Sequence, residues 1–407
     1  MAIVKPFAAL RPHPAYAAQL ASRPYDVLSS EEARAEVAGN PLSFLHVTKA
    51  EIDLPADVAI HSEAVYRKAA ENLQALIKKK VLFAEGKPCF YIYQLTWKGR
   101  SQTGLVCTSS VDDYNKGIIK KHEFTRPEKE KDRIDHMRTI KAQTGNVFLA
   151  CKASTALSSV MDQWKDQNVA VYNFAATDGV QHTVWVVDAP ATIAILEEIF
   201  ETELTHTYIA DGHHRAASAA KVQSYFPESA SANYFLTTIF PANELAILDY
   251  NRIAKDLNRH TPESFLQALQ QDFDITPQEG AFRPQALHQF GMYLQGKWYK
   301  LVAKEGVYTT DPIGVLDVSI LQARVLDALL DIKDPRTDNR VDFVGGIRGL
   351  EELQKRVDSG TAAVAFSLYP VSIQQLFDIA DSGEVMPPKS TWFEPKLRDG
   401  LFTHLIG

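Results

Sequence analysis

The alternation of apolar and polar residues changes to a helical, alanine-rich pattern at one point of the chain. Residues 205–220 have the sequence THTYIADGHHRAASAA, in which the alternation ends at Asp211 and Gly212. This change predicts a strand, a tight turn and a helix. Gly212 permits a positive φ or a close approach of the backbone, so the first helical turn is expected to contain His213–Arg215.

Three side chains that can be cationic fall at this predicted helix start, namely His213, His214 and Arg215. Like charge at the positive end of a helix dipole costs a few tenths to about 1 kcal/mol per group. A phosphate bound to the helix amides, between two imidazoles and a guanidinium, would reverse that sign. We therefore expect a bound polyanion next to these three side chains, because it would make their charge favourable at this position. The alternatives are a surface helix start with neutral histidines, or a His213 satisfied inside a core.

The rest of the pattern predicts a mixed α/β region followed by a second unit. Residues 43–47 are strand-like. Other predicted strands cover residues 90–95, 102–108, 146–151, 169–175, 180–187 and 233–240, and predicted helices cover 31–37, 61–80, 153–166 and 190–200. We expect an α/β or α+β fold with a mixed sheet, a phosphate-binding core over residues 1–255, and a C-terminal α+β unit over residues 256–407.

A second informative segment is residues 117–137, GIIKKHEFTRPEKEKDRIDHM. Thr125 and Glu128 have the spacing of a capping box, and Pro127 is tolerated in a first turn, so the helix is expected to start at Arg126. Few apolar residues follow. The helix is therefore unusually polar for one that must pack against a core.

Glu123 lies directly before this helix, next to His122. A carboxylate between a histidine and a cationic helix could be held ionised and act as a general base. In this hypothesis Arg126, Lys129 and Arg133 complete an electropositive wall with His122. The alternative is a solvated surface helix with ordinary ion pairs.

Near the end of the chain, the segment 383–401 combines prolines, aromatic residues and lysines. Lys389, Ser390 and Thr391, with Lys396, could bind an anion through side-chain and backbone donors. The alternative is a tail that packs through its aromatic and leucine side chains.

Composition narrows the class of protein. A chain of 407 residues suggests two or three domains, and 45% hydrophobic with 23% charged residues is ordinary for a globular protein. The net charge of −7 argues against a general nucleic-acid binder. Three scattered cysteines indicate a reducing cytoplasm, and neither a signal peptide nor an apolar membrane segment is expected.

The chain resembles two groups of proteins. Six segments together are similar to domain-of-unknown-function family 1015 of bacteria and archaea: Lys5–Phe7, Arg23–Val27, Asn40–Leu45, Lys121–Glu130, Asp211–Arg215 and Met386–Thr391. Separately, Asp211–Arg215 resembles the phosphate motif of the ParB/sulfiredoxin superfamily, especially its free-serine kinases. This resemblance implies a ParB/sulfiredoxin-like mixed sheet, a motif that opens a helix and holds nucleotide phosphates, and a glutamate as base. The resemblance to the unknown family also implies a link to serine biosynthesis, because that family is often encoded beside serine-biosynthesis enzymes.

The leading hypothesis is a cytoplasmic kinase that transfers phosphate from ATP or ADP to a small hydroxylated metabolite, with free L-serine as the foremost candidate. Gly212, His213, His214, Arg215, Lys129 and Arg133 would bind the nucleotide, and His122, Arg126, Lys389, Ser390 and Thr391 the substrate. Asp211 would hold Mg²⁺, while Glu123 and His214 would act in catalysis. Two alternatives stay open: a non-catalytic regulator that binds a nucleotide or phosphoserine, and a metal-dependent phosphatase or nuclease. The sequence does not indicate the oligomeric state.

Overall fold

The computed structural model of the protein describes all residues, 1–407, and divides the chain into two compact units. The first unit contains residues 1–245 and 395–407, and the second contains residues 246–394. The predicted division, with its boundary after residue 255, differs from these units at two places. Tyr250–Ala254 is a strand of the second unit's sheet, and residues 395–407 return to the first unit, where His404 pairs with Gln143.

The first unit is built on a nine-stranded mixed sheet. The strands of this unit are β1 (Val4–Lys5), β2 (Leu10–Pro12), β3 (Leu82–Ala84), β4 (Phe90–Trp97), β5 (Arg100–Ser110), β6 (Ile119–Lys120), β7 (Ala142–Gln143), β8 (Val147–Cys151), β9 (Tyr172–Ala175), β10 (Gln181–Val187), β11 (Thr207–Asp211) and β12 (Tyr234–Pro241), with His404–Leu405 near the chain end. The sheet order is β6-β11-β8-β12-β5-β4-β10-β9, and β1 pairs with β5. Only the β6–β11 and β8–β12 pairs are parallel. The predicted mixed sheet is confirmed.

Helices pack around this sheet and on one another. They are α1 (Ala17–Leu20), α2 (Ser30–Glu36), α3 (Leu45–Thr48), α4 (Glu63–Lys78), α5 (Val111–Asn115), α6 (Pro127–Ile140), α7 (Thr155–Gln167), α8 (Pro190–Thr202) and α9 (His213–Val222). The buried apolar residues of β4, β5, β8 and β12 form the main core together with those of α7, α8 and α9. A second cluster of buried residues joins α3 and α4 to β2 and β3.

The strand-like interpretation of residues 43–47 is wrong, because α3 occupies that part of the chain. Phe44, Leu45 and Val47 are all fully buried. A short apolar run that is buried on every side shows no useful periodicity, so it fits a strand and a helix equally well.

The second unit is an α+β arrangement around a six-stranded antiparallel sheet. Its strands are β13 (Ile247–Leu248), β14 (Tyr250–Ala254), β15 (Phe273–Gln278), β16 (Gln289–Leu294), β17 (Lys297–Ala303), β18 (Val341–Gly345), β19 (Val364–Leu368) and β20 (Trp392–Phe393), and its helices are α10 (Pro262–Leu269), α11 (Asp317–Leu321), α12 (Gly349–Asp358) and α13 (Ile373–Ser382). The strand order is β15-β17-β16-β19-β14-β18. The last strand of the chain, β21 (His404–Leu405), belongs to the first unit.

None of the helices in either unit combines the length and the apolar surface that crossing a membrane would require.

Candidate functional site

The predicted strand, turn and helix around Gly212 are confirmed. Strand β11 ends at Asp211, Gly212 has φ +97° and ψ 31°, and α9 begins at His213. The left-handed conformation is one that glycine adopts at little cost. No side chain caps the first turn of α9. The amides at this helix start are therefore not occupied by a capping side chain, which is a common arrangement for binding an anion.

His213 is buried beside two residues of the loop before α6. Its Nδ1 lies 3.8 Å from Oε2 of Glu123, and its ring meets that of His122 edge to face at 4.5 Å between centroids. Burial lowers the pKa of His122 to about 4, and burial together with the neighbouring His122 lowers the pKa of His213 well below its usual value. Both imidazoles are therefore neutral near pH 7. The buried Nδ1 of His122 has no hydrogen-bond partner.

His214 joins the start of α9 to the start of α6. Its Nε2 accepts a hydrogen bond of 3.0 Å from the backbone N–H of Arg126, which is the N-cap residue of α6. Burial, and then the nearby charge of Lys129, lower the pKa of His214. The N-termini of α6 and α9 therefore meet at a neutral imidazole. The positive ends of both helix dipoles thus act on the same region of the protein, the corner formed by the two helix starts.

Arg215 points into the protein and is only 8% exposed. Its guanidinium donates a hydrogen bond to the backbone oxygen of Asn146, and its Nη2 lies 3.4 Å from Asp26 and 3.9 Å from Asp211. Burial lowers the pKa of Arg215, but the carboxylates of Asp26 and Asp211 outweigh it and raise that pKa overall. The protein's own carboxylates thus neutralise this cation.

These findings correct the charge argument drawn from the sequence. The structure places the three side chains at one helix start, but two of them are neutral and the third is paired internally. The three side chains therefore do not repel one another or the helix dipole strongly, and a bound polyanion is not needed to stabilise them. What could attract an anion here is the pair of helix N-termini, together with cations that other segments supply.

One such cation is Lys396, which lies in the returning segment 395–407. Its Nζ is 3.0 Å from Oδ2 of Asp211. Burial raises the pKa of Asp211, but Lys396 and Arg215 outweigh it and bring that pKa well below its usual range. No group of three or more His, Cys, Asp or Glu side chains is arranged to hold a metal ion. Asp211 is a single carboxylate, which suits Mg²⁺ only when substrate phosphates and water supply the other ligands.

The start of α6 differs from the predicted capping box. Because Pro127 is the first helical residue, Arg126 is the N-cap, and the hydroxyl of Thr125 donates to Glu130 instead of capping the helix. Lys129 is exposed on the first turn of α6.

Arg133 does not take part in an open electropositive wall. Its guanidinium lies 2.6 Å from Asp132 and 3.9 Å above the centre of the Tyr25 ring. Asp132 also accepts hydrogen bonds of 2.8 Å from His61 and Tyr66. Some polar residues of α6 are thus packed against partners inside the fold, and this explains how a helix with few apolar residues packs.

Lys389, Ser390 and Thr391 belong to the second unit. The hydroxyl of Ser390 donates to the backbone oxygen of Pro387 at 2.6 Å, and the ammonium of Lys389 lies 5.9 Å from the centre of the Tyr250 ring. Trp392 meets the same Tyr250 ring edge to face at 5.0 Å. Their assignment to the substrate remains a prediction.

Sequence reasoning missed two carboxylates of the first unit that surround Arg215. Asp26 follows the half-buried Tyr25, and Asp399 is fully buried with one carboxylate oxygen that has no hydrogen-bond partner. Burial raises the pKa of Asp399 to about 7, even though Arg215 acts in the opposite direction. Neither acid has a local sequence signal, because only the folded chain brings it to residue 215.

Replacing Asp399 with Asn is expected to flatten part of the pH dependence of stability. An acid whose pKa is about 7 in the fold and about 3.9 in the unfolded chain stabilises the fold below pH 4. That contribution is lost as the pH rises through 7. Urea unfolding from pH 4.5 to 8 should therefore show the variant gaining stability relative to the wild type as the pH increases. A constant difference between the two proteins would contradict this.

Two cavities of the first unit are lined in part by residues of α6. One beneath Arg215, lined also by Tyr25 and Arg133, has a volume of about 20 Å³, which is room for one water molecule. A larger cleft of about 670 Å³ runs along α6 and is lined by residues such as Tyr66 and Tyr225. It contains none of the predicted site residues.

Comparison with known proteins identifies the family of the chain. Residues 4–319 match the family described as "Protein of unknown function (DUF1015)". The chain therefore belongs to this family, and the resemblance inferred from the six sequence segments is confirmed. No curated protein matches the chain.

Three solved structures illustrate the likeness at low identity. A mutant of free serine kinase in complex with AMP is 10% identical, with 74% of this chain and 91% of that chain covered and a TM-score of 0.39. A conserved hypothetical protein from Pyrococcus furiosus is 13% identical, with 74% and 95% covered and a TM-score of 0.35. C-terminally truncated SbnI from Staphylococcus aureus is 12% identical, with 74% and 87% covered and a TM-score of 0.32.

Proposed function

We propose that the protein is a nucleotide-dependent kinase that phosphorylates a small hydroxylated metabolite. The observation that carries this proposal is the meeting of two helix N-termini, where the backbone N–H of Arg126 donates to Nε2 of His214 at 3.0 Å. The first turn of α9 has no side-chain cap. Two dipoles and uncapped amides at one corner favour a phosphate chain over a neutral ligand.

Glu123 is the group we assign as general base. Its side chain is 47% exposed, and its carboxylate lies 3.8 Å from the buried His213. A partly exposed carboxylate next to a neutral imidazole can accept a proton from a bound alcohol. The alcohol oxygen then forms a bond to the transferred phosphorus, the bond from phosphorus to the nucleotide's bridging oxygen breaks, and Glu123 keeps the proton.

Asp211 and Lys129 are the groups proposed to serve the nucleotide beyond the helix amides. Asp211 would hold Mg²⁺ together with nucleotide phosphates, and the magnesium would neutralise charge on them. Lys129 is exposed in the first turn of α6 and supplies a further positive charge. His214 would keep the two helix starts together, which fixes the positions of the amides that bind phosphate.

L-Serine is the acceptor we propose to test first. The choice follows the similarity of Asp211–Arg215 to the phosphate motif of free-serine kinases. A free amino acid also needs groups that bind its carboxylate, and Arg126, exposed at the N-cap of α6, is the candidate in the first unit.

The test is a single incubation series with the purified full chain. Wild-type protein is mixed with L-serine, Mg²⁺ and either ATP or ADP, and O-phosphoserine is measured by mass spectrometry, with homoserine and glycerate as other alcohol acceptors. We expect a phosphorylated acceptor and the nucleotide product in equal amounts. Nucleotide binding without any product would favour a binding regulator instead, and nucleotide hydrolysis or phosphoester cleavage with a tightly bound metal would favour a phosphatase or nuclease. Absence of both binding and turnover would reject the proposal.

A further inference from the structure

Lys396 is held at the helix start by the way the chain returns to the first unit. The segment 395–407 is fixed by backbone hydrogen bonds between Ser22 and Asp399 and between Leu10 and Thr403. It lies outside the part of the chain that the family matches, residues 4–319. The lysine therefore occupies a defined place in the fold and is not at the end of a loose tail.

Its ammonium group lies against the last residue of β11. The distance from Nζ of Lys396 to Oδ2 of Asp211 is 3.0 Å, and Gly212 and His213 with their uncapped turn follow directly. The Lys396 side chain is 21% exposed. Lys396 thus contacts a residue that directly precedes the amides that we assign to phosphate. Part of its side chain is exposed to solvent.

Two buried polar atoms at the same corner lack hydrogen-bond partners, which is an independent sign that a ligand completes it. They are Nδ1 of His122 and Nε of Arg215, each on a residue that is more than nine-tenths buried. Buried polar atoms without partners are uncommon in folded proteins, and a bound ligand or water is one explanation for them. Arg215 itself is paired with Asp26 and with the backbone oxygen of Asn146, so its charge is already neutralised inside the fold. A ligand at the surface therefore needs a different, partly exposed cation.

We propose that Lys396 binds a phosphate oxygen of the nucleotide and that its ion pair with Asp211 is the ligand-free arrangement. This inference rests on the proposed function and adds a binding residue to the same site. A lysine ammonium has three donors and acts as a point charge toward phosphate. When phosphate replaces Asp211 as its partner, the Asp211 carboxylate becomes available to a divalent cation.

The test compares Lys396→Met with a matched lysine elsewhere in the first unit. Lys5 forms an ion pair with Glu197 at 2.8 Å, so Lys5→Met removes a similar pair away from the site. Calorimetric titration with ADP and with pyrophosphate, without Mg²⁺, should show affinity about 10- to 100-fold weaker for Lys396→Met. Lys5→Met should bind as the wild type does, and Lys396→Arg should recover part of the affinity.

Asp211→Asn separates phosphate binding from a purely structural ion pair. If the ion pair only maintains the structure of the helix start, both variants will lose the same affinity in the absence of Mg²⁺, and the inference is wrong. If Lys396 binds phosphate, Asp211→Asn will bind at least as tightly as the wild type, because the ammonium loses its competing carboxylate. Should Lys396→Met match a wild type that binds ADP, this inference fails while the proposed function stands. Should the wild type bind no nucleotide, both fail.

Discussion

The variant Glu123→Gln is expected to lose phosphoryl transfer by a factor of about 10² to 10⁴ while its affinity for nucleotide changes little. The factor is the usual contribution of a positioned general base. Gln has nearly the same shape as Glu but accepts no proton. Since the phosphates are assigned to the helix amides and Lys396, the side chain at position 123 should matter to the chemical step and not to nucleotide binding.

The measurement is kcat and KM for each substrate, together with nucleotide affinity by calorimetry. Glu128→Gln is the matched control, because Glu128 is an exposed acid in the first turn of α6 and has no assigned part in the chemistry. The assignment of Glu123 is wrong if its variant keeps its turnover. It is also wrong if turnover and nucleotide affinity fall together, because this would indicate a structural effect on His213 and the helix start.

The local geometry around Gly212 could be predicted from the sequence because its causes are local. The alternation ends at Asp211, glycine follows, and the alanine-rich segment then has a helical pattern, so each step needs only neighbouring residues. The same holds for the helix predicted over residues 31–37, which the structure contains as α2 with Ser29 as its N-cap. Short-range patterns of this kind were sufficient to locate most strands of the large sheet.

The charge state of the site could not be predicted, because it depends on burial and on distant partners. Asp26 is 189 residues from Arg215, and Asp399 comes from the returning segment. No local pattern predicts that His213 is buried and neutral. A count of ionisable side chains therefore overstated the positive charge at the start of α9, and the case for anion binding now depends on main-chain amides and Lys396.

The polar character of α6 was recognised from the sequence but could not be interpreted without the fold. Its polar residues were expected to form an exposed wall or a solvated face. Instead Asp132 and His136 are buried, Asp132 accepting from Tyr66 of α4 and the His136 ring bonding to the backbone oxygen of Val47. These partners lie 66 to 89 residues away in the sequence. A helical pattern alone cannot show whether a polar side chain bonds to such a partner or to water.

Replacing Arg215 with Met is expected to destabilise the first unit by about 3–5 kcal/mol, the usual result of removing one partner from a buried ion pair. Met keeps much of the side-chain volume but leaves Asp26 and Asp211 with less compensating charge and leaves the backbone oxygen of Asn146 without its donor. Urea unfolding at pH 7 measures the change. We expect the midpoint to fall well below that of the wild type.

Arg23→Met is the control for this experiment. Arg23 also pairs with a carboxylate, Glu36, but this pair lies at the surface, where ion pairs contribute about 0–1 kcal/mol. A second variant, Arg215→Lys, keeps the charge but not the fork of donors, and it should lie between the wild type and Arg215→Met. If Arg215→Met were as stable as Arg23→Met, the guanidinium would not be the internal counter-ion described above. Its charge would then be available to a ligand, as the sequence alone suggested.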